Sequence, residues 1–141
     1  MSLEDKSNEN IKLVNNYVTA KRYYDIAASR AYFAIYQRIK HYLQKQEIDY
    51  TNFLNASKMT FIPNNIYKHS LINLVLWKYT LDKNKGKGID LREINQLHKF
   101  QTLRQIREKA DYRDNSITEP EAQDSRRYAN ELMPIIDKYL S

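Results

Sequence analysis

The sequence predicts an all-α fold, an up-and-down antiparallel bundle of four to five helices. Three observations carry this expectation. The 141 residues include only two glycines and three prolines, too little turn chemistry for a many-stranded β architecture. The chain length suits one core rather than two. Apolar residues also recur at helical spacing through most of the chain.

Each element follows from its own pattern. Residues 1–10 are polar and are expected to be a frayed N-terminus, leaving 11–141 as a single helical domain. Ile11, Val14 and Val18 form the stripe of a first helix ending near Arg22. Asp25 suits the N-cap of a second helix, whose stripe is Ala28, Tyr32, Ile35, Ile39 and Leu43. Ala27, Ala31 and Ala34 lie beside that stripe and leave room for a close neighbour. Residues 47–65 are mixed and contain Pro63, as expected of a connecting segment. From Tyr67 to Leu81 apolar side chains cover most of the helix surface, the mark of a central or interface helix.

Asp82–Gly88 holds both glycines with Lys83, Lys85 and Lys87, and reads as a flexible basic loop. Its Gly-Lys-Gly lacks the full phosphate-loop pattern and follows no strand. A fourth helix is expected from Asp90 to Tyr112, with Phe100, Leu103, Arg107 and Ala110 on one face. Thr118-Glu119-Pro120-Glu121 has the form of a capping box. It opens a last helix with the stripe Ala122, Ala129, Leu132, Ile136, Leu140, in which Pro134 is expected to weaken the hydrogen bonding locally.

Composition narrows function. With no cysteine, disulfides and thiolate metal sites are excluded, and a reducing cytoplasm fits. No apolar run approaches the roughly 18 residues of a membrane span. The net charge of +6 favours a polyanionic partner. His41, His69 and His98 stand on separate segments with no metal-ligand spacing, so no metal and no cofactor is expected. The twelve tyrosines suit half-buried helix seams first, and wet interfaces or base stacking second.

Two constellations could carry chemistry. Arg107 and Asp111, four apart, can pair on one helix face. That pair is either an intrahelical tie or an arginine placed for a phosphate. Arg92 and His98 are offset by about 120° on an ideal helix, which suits two solvated residues unless His98 faces a cleft and acts as an acid or base.

Several segments together carry a resemblance. Ala27-Ala28-Ser29-Arg30-Ala31-Tyr32-Phe33-Ala34 resembles the second-helix signature A-x-S-R-A-Y-Y-A of bacterial HEPN proteins. Lys68-His69-Ser70 resembles a K-H-S segment of one subgroup, and Leu103 with Arg107-x-x-Ala110-Asp111-Tyr112 resembles its L-x-x-x-R-x-x-A-D-Y motif. The closing helix, with Glu119, Glu121, Ala122 and Ala129, is similar to the subgroup's alanine-spaced last helix. These motifs occur in family order over residues 10–140.

The resemblance implies a helical bundle that dimerises, with RNA or a nucleotidyltransferase antitoxin as partner, in a toxin–antitoxin or defence setting. It also implies, for active members, a metal-independent ribonuclease in which an arginine and a histidine meet at the dimer cleft. Carried to this chain, the site candidates are Arg30, His69, Arg107, Asp111 and Tyr112, with Arg92 and His98 as a second pair. Arg107, Lys83, Lys85 and Lys87 are the candidates for RNA or partner binding. The chain departs from the nuclease motif after Arg107, where Asp111 and Tyr112 stand in place of a histidine. That departure favours a binding module, with the active ribonuclease toxin as the alternative.

Overall fold

The computed structural model describes residues 1–17, 24–45, 72–112 and 117–141, and among them every regular element is a helix. The six helices are α1 (Leu3–Tyr17), α2 (Tyr24–Lys45), α3 (Ile72–Lys83), α4 (Leu91–Gln96), α5 (Lys99–Tyr112) and α6 (Glu119–Leu140). The all-α bundle expected from the sequence is therefore present. No helix among the described residues is long and apolar enough to cross a membrane.

α2 is the axis of the bundle. Ala27, Ala28, Ala31 and Ala34 are all buried, and their small side chains let α1, α5 and α6 close around it. The larger stripe residues Tyr32, Ile35, Ile39 and Leu43 are fully buried in the same core as Phe100, Leu103, Leu132 and Ile136. Pairings along the helices give their polarity. Asp25 meets Ile117 and Arg38 meets Asp137, so α2 and α6 run parallel. Lys99 meets Glu131 and Lys109 meets Glu121, so α5 runs antiparallel to α6. Asn15 meets Asn130 while Ser7 meets Met133, so α1 also opposes α6.

The N-terminus departs from the expectation of fraying over residues 1–10, because α1 begins at Leu3. Its first turns are anchored by polar rather than apolar groups. Ser7 is fully buried and donates through Oγ to the Ala34 carbonyl at 2.7 Å. Asn10 donates to Gln37 at 2.7 Å. Satisfied buried polar groups hold a helix without leaving any apolar stripe.

A second departure is the segment expected to be one helix from Asp90 to Tyr112. It is two helices, with Asp90 as N-cap of α4 and a joint at Leu97 and His98. Across the joint, Leu97, His98, Phe100 and Gln101 each donate to the residue three before. Ile94, Leu97, Phe100 and Leu103 are all buried and recur every three residues. Both flanking segments are α-helical, and the i→i−3 bonds confined to the joint mark a tighter local winding that lets each helix keep its buried residues on the core.

Asp25 lies within the first turn of α2 rather than capping it; its carboxylate accepts from the Ile117 N–H at 2.9 Å, tying the entry of α6 to α2. The Thr118 capping box with Glu121 is formed as expected. α6 continues helical through Pro134, which lies on the exposed face. The segment expected to be apolar all round is described from Ile72 onward. Leu76, Tyr79 and Thr80 are buried and Trp77 is half-buried, while the remaining side chains of that pattern up to Val75 lie outside the described residues.

At the far end, Arg38, Tyr42 and Asp137 lock α2 to α6. The Arg38 guanidinium donates twice to Asp137, at 2.7 and 2.8 Å, and the Tyr42 hydroxyl donates to the same carboxylate. Burial alone would raise the Asp137 carboxyl. The hydrogen bonds from Arg38 and Tyr42 and the Arg38 charge outweigh it and hold the carboxyl below its ordinary value. A folded value below the unfolded one gives stability that is full above the ordinary pKa of 3.8 and is lost as pH falls through the folded value. Urea unfolding of Asp137→Asn at pH 7 is expected to show a loss of about 2 kcal/mol, with a flatter stability curve below about pH 4 than the wild type.

Candidate functional site

Two segments singled out in the sequence, 74 or more residues apart, face one another. Ser29, Arg30 and Phe33 on α2 lie with Asp111 of α5 along one open groove of about 270 Å³, which Asp25 and Ile26 complete. α2 supplies its residues through the turn-by-turn spacing of 26, 29, 30 and 33, and α5 supplies Arg107 and Asp111 one turn apart near its C-terminal end.

Arg107 backs the groove rather than lining it, in contact with Asp111 and Phe33, which do. Its side chain is only 11% exposed, and its Nε donates to Asp111 at 2.9 Å. The guanidinium carbon stands 5.0 Å from the Phe33 ring centre and 5.5 Å from that of Tyr32. Tyr32 continues the stack inward, parallel to Phe100 at 5.3 Å. Burial pushes the Tyr32 hydroxyl well above its ordinary pKa, more than the Arg107 charge lowers it, so this phenol stays protonated at neutral pH. Ser29 donates from α2, Oγ to Asp111 at 3.4 Å. The α5 carboxylate thus links both helices.

Arg30 differs from Arg107: it is exposed at the groove rim. Ile26, also at the rim, is 45% exposed. The groove therefore presents an apolar step, a solvent-facing guanidinium and two carboxylates, Asp25 and Asp111. One of these is engaged by a backbone N–H and the other by Arg107. With charges so balanced it has no strong attraction for a polyanion.

The other sequence candidates fall elsewhere. Tyr112 closes α5, but its side chain lies outside the described residues, as does all of His69. Arg92 is exposed on α4, while His98 sits in the joint after it and stacks on Trp77 at 4.5 Å. Among the described residues no contact joins His98 to Arg92 or to the groove. His41 is turned to Glu4, Nε2 to carboxylate 3.7 Å, at the opposite end of α2.

Lys83, expected in a flexible loop, is the last residue of α3. Its Nζ donates to the Leu140 carbonyl at 3.2 Å, and Asn84 donates to the Tyr139 carbonyl at 3.1 Å, so this end of α3 caps α6. Lys85 and Lys87 remain exposed in the following turn. The structure thus brings Arg30, Arg107 and Asp111 together and separates them from Lys83, Lys85, Lys87, Arg92 and His98.

Sequence reasoning missed Ser29, Phe33 and Asp25 as groove residues. Ser29 and Phe33 stand inside the motif that resembles the HEPN second helix, which was the available signal; Asp25 left none beyond its capping chemistry. Compared with protein-family models, with curated proteins and with solved structures, the chain matches none.

The two arginines differ in what they should do to stability. Arg107→Ala strips Asp111 of its guanidinium and exposes two ring faces, and is expected to cost about 2–3 kcal/mol in urea unfolding. Arg30→Ala, at an exposed position, is expected to change stability by less than about 0.5 kcal/mol. Equal losses in the two variants would contradict this assignment of buried and solvent-facing roles.

Proposed function

We propose that the protein is a HEPN-like module that acts by binding, and that the α2–α5 groove is the face on which two copies meet. The supporting observation is the convergence in one groove of Ser29, Arg30 and Phe33 with Asp111, backed by Arg107, the residues that carry the resemblance on both helices. The setting implied by that resemblance is a toxin–antitoxin or defence system, in which a nucleotidyltransferase-type protein is the further partner.

The chemistry of the groove favours a protein occupant over a phosphate. An exposed isoleucine and a partly buried phenylalanine supply apolar area. Arg30 and Asp25 are complementary charges, five residues apart on α2, and both line the groove. In a two-fold contact each patch meets its own copy, so the arginine of one protomer can stand against the aspartate of the other. The Arg107 guanidinium is held by Asp111, and a phosphate approaching it would meet that carboxylate first.

Cleavage would require a proton-transfer group in the groove at neutral pH. Among the described residues neither His41 nor His98 is placed there, and His69 lies outside them. What favours binding over the ribonuclease toxin is the departure after Arg107, where Asp111 and Tyr112 stand in place of a histidine.

Analytical ultracentrifugation tests the interface. The wild type is expected to sediment as a dimer, and Ile26→Glu or Arg30→Glu is expected to shift the equilibrium to monomer with the helical content unchanged. A wild-type monomer at high concentration would reject the self-association, and a dimer indifferent to both substitutions would place it on another face. Incubation with RNA between about pH 5 and 9 is expected to leave the RNA intact. Cleavage that disappears in Arg107→Ala would overturn the binding reading in favour of a ribonuclease.

A further inference from the structure

Half of the net charge of the chain lies away from the groove. Between Lys78 and Lys99 there are six lysines and arginines against three carboxylates, a surplus of three out of the total of +6. Among the described residues the neighbouring helix adds one charge of each sign, Glu131 on Lys99 at 2.6 Å and Lys138 on Glu93 at 2.7 Å. Asp90 is used as the N-cap of α4, accepting from the Arg92 N–H at 2.9 Å. Among the described residues, no carboxylate pairs with the side chains of Lys85, Lys87 or Arg92, all three of which are exposed.

The backbone fixes where two of these charges stand. The Lys87 N–H closes a turn on the Asn84 carbonyl at 3.0 Å. Gly86 takes the third place of that turn with φ +80°, a conformation a side chain would strain. The turn holds Lys85 and Lys87 on either side of the glycine, immediately after a helix whose end is bolted to α6 by Lys83 and Asn84.

Beside this basic end lies an aromatic pair. The imidazole of His98 stacks on the indole of Trp77, centroids 4.5 Å apart and planes 28° from parallel. Trp77 is half-buried in the core margin and His98 is exposed. His98 is held there by the 3₁₀ joint, its N–H on the Asn95 carbonyl and its own carbonyl accepting from Gln101. The stack therefore stands on a rigid base with its outer tier toward solvent.

We infer that the α3–α4 end, which carries the Trp77–His98 stack on the same pair of helices whose connecting turn and first residues carry Lys85, Lys87 and Arg92, is a binding platform for single-stranded nucleic acid. A nucleobase would extend the stack on His98, and the cations would take the adjacent phosphates. Both halves of that ligand are needed to use both halves of the surface. Stacking alone recognises any flat ring, and a basic patch alone recognises any polyanion. The surface is independent of the α2–α5 groove, and it gives Arg92 and His98 a binding role without proton transfer.

Trp77 is the sole tryptophan of the chain, so its emission reports on this platform alone. A labelled oligoadenylate RNA of about 12 nucleotides would be titrated by anisotropy, alongside inorganic polyphosphate of matched charge as competitor, with Trp77 emission followed in parallel. The oligonucleotide is expected to bind and to change Trp77 emission, and polyphosphate to compete weakly and leave the emission unaltered. His98→Ala is expected to weaken binding on the order of tenfold, and His98→Phe, which restores a flat ring, to recover it. Lys85→Ala with Lys87→Ala is expected to reduce the slope of log K against log salt by about 1.4, the share of two phosphate contacts on a single strand. Lys12→Ala, on the exposed face of α1, serves as the control and is expected to bind as the wild type does. The inference is overturned if polyphosphate matches the RNA in affinity and in its effect on Trp77, if His98→Ala binds like the wild type, or if the two lysines leave the salt slope unchanged.

Discussion

The close approach permitted by the alanine face of α2 is the constraint on which the rest of the structure depends. Ala27, Ala28, Ala31 and Ala34 present almost no side-chain bulk, yet α1, α5 and α6 all pack against that helix. Interiors are packed to near-crystalline density, so the helix spacing set by these methyl groups dictates what fits around them. Tyr32 can reach Phe100, and Phe33 can lie beside Arg107, only because α5 comes this near. The groove inherits its shape from the same spacing: Ser29 reaches Asp111 across a gap that a larger residue at Ala28 or Ala31 would widen.

How much of this was legible in the sequence depends on how far each interaction reaches along the chain. The α2 and α6 stripes were plain, because burial on one face imposes a period that survives any partner. The Arg107–Asp111 tie was equally plain, being four residues apart on one helix. The joint between α4 and α5 was misjudged for a physical reason. The stripe of Phe100 and Leu103 continues back through Leu97 and Ile94 without a break, so nothing in the apolar pattern marks where one helix ends and the next begins. The start of α1 was invisible because Ser7 and Asn10 bury polar groups whose partners, Ala34 and Gln37, are 27 residues away. The Arg38–Asp137 lock spans 99 positions and leaves no local trace at all. In the site, the same rule separates the arginines named in advance from Asp25, whose acceptor role for Ile117 depends on tertiary contact.

The groove and the α3–α4 end differ in charge. In the groove each carboxylate already accepts a hydrogen bond, and the nearby arginines balance them. At the α3–α4 end Asp90 serves as a cap and Glu93 pairs with a lysine of α6, leaving Asp82 as the remaining carboxylate against a larger number of exposed cations. Long-range attraction of a polyanion follows that second surface, because the field of a balanced cluster falls off faster than that of a surplus. The basic composition of the chain is thus consistent with a groove that has no basic character.

Arg107 illustrates how a conspicuous residue can mark a site without being its reactive group. Its guanidinium is nearly sealed from water, stacked over two rings and hydrogen-bonded to Asp111. Releasing it toward a phosphate would leave that carboxylate without its charge-assisted bond and open the aromatic floor, a cost of several kcal/mol for a partly buried pair. Arg30, on α2 across the groove and solvent-exposed, can change partners with almost no such cost. The groove therefore divides the work of its two arginines. One holds α2 and α5 at a fixed separation, and the other meets whatever docks there.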